Sequence, residues 1–226
     1  LSYRVYKDSV FYADTNEPTI LIESLDANTQ YSIAIEARNA SGASEQASII
    51  VITQPAAVTE LMVSNISSFG FELTWATPVG NESLLTYEIL INGVPNIHAY
   101  VIDNCATVFG LIANTLYNVV VRAINDSETA ESTPIDVLTY PNIVTESNVT
   151  DITQTTLVIS WIAPTGGTAP LVYSILRDDQ PYTSVTITDT TAQVTDLQPN
   201  TQYLFSIKAD NGSGSSQSSY IITMTL

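Results

Sequence analysis

The sequence repeats itself. Shifted by 86 residues, Trp75 falls on Trp161, Tyr87 on Tyr173, Pro95 on Pro181, Asp103 on Asp189, Leu111 on Leu197 and Tyr117 on Tyr203, with no gap. Ala123, Asn125 and Ile135 keep the same step with Ala209, Asn211 and Ile221. Leu25, Tyr31, Ala37, Asn39 and Ile49 fall in turn on Leu111, Tyr117, Ala123, Asn125 and Ile135. The unit is thus present two and a half times: complete over residues 55–140 and 141–226, and lacking roughly its first third over residues 1–54. A two-residue deletion sets Tyr3 opposite Tyr87, and the first copy has no tryptophan. Such a period demands a small fold that closes within one unit and is built again in the next.

The apolar residues inside each unit alternate instead of recurring every three or four. Phe71, Leu73 and Trp75 match Leu157, Ile159 and Trp161. Tyr117, Val119, Val121 and Ala123 match Tyr203, Phe205, Ile207 and Ala209, and in the first copy Tyr31, Ile33, Ile35 and Ala37. A beat of two with β-branched residues throughout is the mark of half-buried strands. Ala106–Val108, Ala192–Val194 and Ile20-Leu21-Ile22 read as further strands, six or seven per unit in all. Turn residues separate them, at Thr77-Pro78-Val79-Gly80-Asn81, Pro164-Thr165-Gly166-Gly167, Asn92-Gly93 and Gly212-Ser213-Gly214. An all-β antiparallel sandwich follows, with Leu61, Val63, Phe71, Leu73, Trp75, Tyr87, Ile89, Val108, Leu111, Tyr117, Val119 and Val121 expected in one core. The joints Gln54-Pro55-Ala56-Ala57 and Tyr140-Pro141-Asn142 are short and contain proline, so an extended rod of sandwiches is expected.

These residues resemble tandem fibronectin type III domains. Trp-x-x-Pro at 75–78 and 161–164 is similar to that family's B strand, and Tyr87 and Tyr173 to its C strand. The phrase Leu-x-x-Asn-Thr-x-Tyr at 25–31, 111–117 and 197–203 is similar to the turn that sets a tyrosine at the E–F corner. The resemblance implies immunoglobulin-like sandwiches at 55–140 and 141–226, with residues 1–54 the C-terminal part of a third whose A and B strands are missing. It makes Trp75, Trp161, Tyr31, Tyr117 and Tyr203 structural core residues, each tyrosine hydroxyl bonding back to backbone upstream. The family's Arg-Gly-Asp tripeptide and Trp-Ser-x-Trp-Ser signature are missing.

Composition narrows the function. Six Lys+Arg against 23 Asp+Glu leave a net charge of −17, which opposes a grip on nucleic acid or anionic membrane. No apolar run approaches the roughly 18 to 20 residues of a membrane span, so direct membrane insertion is not expected. The opening Leu1-Ser-Tyr-Arg-Val-Tyr reads as a piece cut from a longer product. One cysteine and one histidine exclude an intrachain disulfide and a cysteine-built zinc site. His98 reads as an ordinary strand or loop residue, and Asp178-Asp179 as a solvated hairpin turn more readily than a calcium site, which needs six to eight oxygens. No catalytic constellation, metal or cofactor is expected.

Cys105 stands where the next repeat has Thr191 and reads as outward-facing, either an unpaired thiol or one half of an interchain bridge. Asn-x-Ser/Thr sequons occur at Asn39, Asn65, Asn81, Asn125, Asn148 and Asn211, and glycan is expected first at Asn81 or Asn148. The function expected is a non-enzymatic extracellular or surface scaffold for adhesion or assembly, binding protein partners or further copies of itself. Alternatives are an accessory spacer of a larger secreted enzyme or receptor, and a subunit of a filament or virion. In the truncated copy residues 19–24 would be an uncovered edge strand with Ile20 and Ile22 on its apolar face, open to strand addition.

Overall fold

The chain is described from a computed structural model over residues 1–226. Its regular structure is antiparallel strand, with one single-turn 3-10 helix at Glu82–Leu84. Five sheets form, and they follow the repeat. The third copy has two: Ser147–Thr150, Leu157–Trp161, Thr191–Val194 and Val185–Thr188 in one, and Gln180–Pro181, Val172–Arg177, Gln202–Asp210, Ser215–Gln217 and Ile221–Met224 in the other. The middle copy repeats this pair. Thr59–Ser64, Gly70–Ala76, Cys105–Phe109 and Ala99–Ile102 form its first sheet. Thr86–Ile91, Val94–Pro95, Leu116–Ile124, Thr129–Glu131 and Ile135–Leu138 form its second. The first copy has only the second kind, from Val10–Thr15, Ser2–Lys7, Gln30–Asn39, Gly42–Ala43 and Ala47–Ile52.

By backbone proximity the chain divides into two compact units, which cut the strands of the middle copy instead of falling between copies. One comprises Leu1–Met62, Thr74–Ala106 and Val119–Ile135, the other Val63–Leu73, Thr107–Asn118 and Asp136–Leu226.

The alternation buries one side chain in two. In the third copy the inward residues of both sheets meet in one core, with Leu157, Ile159 and Trp161 from one and Ile175, Phe205, Ile207 and Ala209 from the other. Trp161 meets Tyr173 edge to face, centroids 5.1 Å apart at 63°. Trp75 meets Tyr87 in the same way, at 5.1 Å and 61°. Trp75, Trp161, Tyr31, Tyr117 and Tyr203 are all buried. Leu61, Val63, Tyr87 and Leu111 were expected inside and are only half-buried: Leu61 and Val63 lie on an edge strand, Tyr87 near the start of its strand, and Leu111 in the loop beyond Phe109. The hairpin turns take left-handed backbone, with positive φ at both residues of Asn92-Gly93, Asp178-Asp179 and Asp8-Ser9. This geometry matches the twist of paired strands, and asparagine, aspartate and glycine adopt it at least strain.

One sequence expectation is corrected: residues 19–24 form no strand. Their counterparts in the complete copies pair with Gly70–Ala76 and Leu157–Trp161, neighbours that the first copy lacks. A strand without a neighbour has no partner for its peptide groups, so the segment stays irregular. Ile20 and Ile22 pack half-buried on the small cluster of Val5, Tyr31 and Ile33.

Candidate functional site

The E–F corners position the loops between copies. At each, the tyrosine hydroxyl accepts a backbone N–H five residues upstream: Tyr31 from Asp26 at 2.9 Å, Tyr117 from Ile112 at 2.8 Å, Tyr203 from Gln198 at 2.7 Å. The corner tightens around an asparagine with left-handed backbone, Asn28, Asn114 or Asn200, at φ of 49°, 53° and 51°. The following threonine amide donates to a threonine hydroxyl 24 residues on, Thr29 to Thr53, Thr115 to Thr139 and Thr201 to Thr225.

These asparagines form the joints. In the first joint the Asn125 Nδ2 donates to Asn28 Oδ1 at 2.9 Å and to the Thr53 carbonyl at 2.9 Å. The Asn28 Nδ2 in turn donates to the Asn81 carbonyl at 2.6 Å. In the second the Asn211 Nδ2 donates to Asn114 Oδ1 at 2.9 Å and to the Thr139 carbonyl at 2.8 Å. The Asn114 Nδ2 donates to the Ala169 carbonyl at 2.7 Å. Each joint lies within one compact unit. Glycine permits the approach: a Cβ on Gly80 would stand 2.3 Å from the Ala27 carbonyl oxygen, and one on Gly167 2.4 Å from that of Asn114. Sequence reasoning took Asn125 and Asn211 as sequons and missed this role, although the recurrence of Asn28, Asn114 and Asn200 at one period was the available signal.

The other sequons lie elsewhere. Asn39, Asn65, Asn81 and Asn148 are exposed. The Asn65 Nδ2 donates to Glu72 at 2.5 Å, and Asn81 Oδ1 accepts from the Ser83 amide at 3.1 Å. Cys105 is exposed on the outer side of its strand. His98 sits exposed in a turn, its backbone N–H donating to Asn96 Oδ1 at 2.7 Å. Asp178 and Asp179 are the two residues of a hairpin turn. Asp179 accepts from the Tyr220 hydroxyl at 2.7 Å and the Gln217 Nε2 at 2.9 Å. The Tyr220 hydrogen bond, then the Gln217 one, hold the Asp179 carboxyl below its ordinary range.

The six cations are committed within the chain. Arg4 pairs with Asp14, Arg38 with Glu36, Arg122 with Glu88 and Glu131, Arg177 with Asp178 and Lys208 with Asp210. Lys7 lies over the Tyr31 ring at 5.1 Å. No group of three or more His, Cys, Asp or Glu converges on one point. No helix is long and apolar enough to cross a membrane.

The first copy carries a different feature. A groove of about 520 Å³ is lined by Tyr3, Val5, Pro18, Ile20, Ile33 and Ile35, among others. Ile35 is 38% exposed, whereas Val121 and Ile207 at the same position in the complete copies are fully buried. The sheet that would cover this face is the one the first copy lacks.

The sequence profile of the fibronectin type III domain matches residues 56–137 and 142–225. The chain is 31% identical over 212 residues to receptor-type tyrosine-protein phosphatase eta of Gallus gallus, covering 90% of this chain and 15% of that protein. It is 26% identical to tenascin-R of Gallus gallus, over 93% of this chain and 16% of that one. It is also 26% identical to endoglucanase B of Cellulomonas fimi, over 88% and 22%. A solved two-domain fibronectin type III segment of chicken tenascin is similar at 20% identity and a TM-score of 0.45, covering 75% of this chain and 98% of that one.

Proposed function

Since the chain belongs to the fibronectin type III domain family, we propose that it serves as a non-enzymatic scaffold outside the cell or on a surface, mediating protein–protein interaction or assembly. The observation that carries this reading is the tandem array of fibronectin type III modules, matched over residues 56–137 and 142–225. The charge of −17, with every cation already engaged, favours partners that are neutral or basic over acidic ones. The relatives include a receptor phosphatase and tenascin-R, proteins in which such domains are one part of a longer chain.

Residues 1–54 are read as the C-terminal part of one such domain, 55–140 and 141–226 as two whole ones. The open face is then the seat of the strands the first copy lacks, supplied by chain ahead of Leu1 or added by another polypeptide. A chain carrying a copy of residues 55–84 ahead of Leu1 tests this. Closure of the face is expected to abolish binding of a hydrophobic dye that the original chain takes up. Dye binding equal in both would overturn it. For the scaffold reading, beads coated with the chain are expected to adhere to cells or to one another, and inert beads in both assays would overturn it.

A second reading, an accessory spacer within a larger secreted enzyme or receptor, is favoured by the small share of its relatives that the chain spans, 15% and 16% of the first proteins above. The full-length gene separates the two. Further copies of the 86-residue unit support the scaffold, and a neighbouring catalytic or transmembrane region supports the spacer.

A further inference from the structure

One row of side chains separates the two complete copies. In the third copy Thr188 stands opposite Thr191, Thr191 opposite Ser160 and Ser160 opposite Asn148, a line across the outer face of the first sheet. The middle copy keeps this register, since the Trp75 amide donates to the Asn104 carbonyl at 3.2 Å as the Trp161 amide does to that of Thr190 at 3.0 Å. Its row therefore reads Ile102, Cys105, Thr74 and Met62, and Tyr100 shares the outer side of the strand with Ile102 where the third copy has Thr186. Tyr100, Ile102 and Met62 are 63%, 53% and 64% exposed. All of these middle-copy residues lie within one compact unit. The middle copy has both of its sheets, so no missing sheet accounts for the exposure. The third copy builds the same strands with polar side chains at these places, so folding does not demand the apolar ones.

Carboxylates flank the row. Asp103 follows Ile102 in the turn and Glu60 precedes Met62 by two residues, both exposed. The chain's own six cations are held elsewhere, five in ion pairs and Lys7 over the Tyr31 ring. A second copy of this chain would bring apolar surface to the row but no cation for Asp103 or Glu60.

We propose that the outer face around Tyr100, Ile102 and Met62 docks a foreign polypeptide segment in which lysine or arginine alternates with apolar side chains. The apolar side chains cover Ile102 and Met62. The cations lay their aliphatic stems along the same surface while their heads reach Asp103 and Glu60, and the Tyr100 ring offers a cation its face. Apolar burial supplies the affinity, and the carboxylates select the sign of the partner's charge. The inference rests on the protein-interaction reading above and gives the partner its chemistry.

A short synthetic peptide alternating lysine and leucine, with one leucine replaced by a benzophenone photocrosslinker, tests this on the full chain. Crosslinks are expected at Met62 and within residues 99–105, and not within 185–191, the same segment of the third copy. Tyr100→Thr with Ile102→Thr installs the third copy's residues and is expected to weaken binding, read by fluorescence anisotropy, about tenfold. The reverse graft, Thr186→Tyr with Thr188→Ile, is expected to draw crosslinks to 185–191. Glu60→Gln with Asp103→Asn is expected to weaken binding at low salt and to leave it little changed at high salt. Equal crosslinking of both copies in the parent chain, equal affinity for a peptide alternating lysine and serine, or binding that survives both pairs of middle-copy substitutions would overturn the proposal. Dimerisation of the chain alone through Cys105 would overturn it too, because a second copy would then fill the face. Beads that adhere while the peptide stays unbound would sink this surface and leave the scaffold reading standing.

Discussion

The Tyr203 hydroxyl accepts the Gln198 amide at 2.7 Å, closing the E–F corner of the third copy. Phenylalanine keeps the ring buried and removes only the acceptor. Tyr203→Phe is therefore expected to destabilise the third copy by about 1–3 kcal/mol, the penalty of a covered N–H left without a partner. Urea unfolding followed by tryptophan fluorescence checks this, and a midpoint equal to the parent's would mean that water takes the place of the hydroxyl.

Trp161 packs on Tyr173 and lies in the core of the third copy, so its loss opens a large cavity. Trp161→Ala is expected to cost about 3–5 kcal/mol. Trp75 then remains as the sole tryptophan reporter, and its unfolding transition is expected to stay in place while the third copy melts early. Loss of both transitions together would show that the copies do not fold separately.

Gly70 lies against the neighbouring strand, where an added Cβ would stand 2.1 Å from the Val108 carbonyl oxygen. Backbone cannot swing aside as a flexible side chain does. Gly70→Ala is expected to cost about 1–3 kcal/mol through forced strand separation. Gly93→Ala is its control, since nothing lies within 4 Å of a Cβ there and only the positive φ opposes the change. Thermal unfolding of the two variants ranks them.

Asp179 and Tyr220 respond to pH in opposite directions. The Tyr220 and Gln217 hydrogen bonds depress the Asp179 carboxyl, so its stabilisation is present above the usual aspartate range and is lost as pH falls through the lowered value. The Asp179 hydrogen bond, ahead of burial, raises the Tyr220 hydroxyl, so its stabilisation is present below the usual tyrosine range and is lost as pH rises through the raised value. The melting temperature of Tyr220→Phe is thus expected to fall furthest below the parent's at neutral pH and to converge with it at both extremes. A gap independent of pH would sever the link between the two groups.

Both amide hydrogens of Asn125 and of Asn211 are engaged at the joints, and a glycan on either nitrogen would replace one of them and break the hydrogen bond it makes. When the chain is secreted through a glycosylating pathway, peptide mapping of the folded product is expected to find sugar at Asn81 or Asn148. Asn125 and Asn211 are expected to be bare. Glycan at Asn211 in protein that still protects Asn114 from exchange would contradict this.

Much of the fold was legible because strands announce themselves locally. Leu157, Ile159 and Trp161 alternate, so their burial follows from a period of two whatever they pack against. The tyrosine corner was legible only through the resemblance of the phrase at 111–117 to the family's turn, and the structure places the hydroxyl of Tyr117 on the Ile112 amide. Residues 19–24 failed because strand formation needs a neighbour: the apolar beat of Ile20 and Ile22 is real, but pairing depends on residues the first copy does not have.

The sequence by itself determined the module, its period and its alternating faces, all of which are set by neighbours along the chain or by an exact internal repeat. Only the tertiary structure decided that Asn125 meets Asn28 and Asn211 meets Asn114, each pair 97 positions apart. An asparagine in a turn satisfies a sequon, a left-handed bend or an intermodule hydrogen bond equally well. The choice among these is made by which loop of the next copy arrives, a matter of three-dimensional approach that no local pattern encodes.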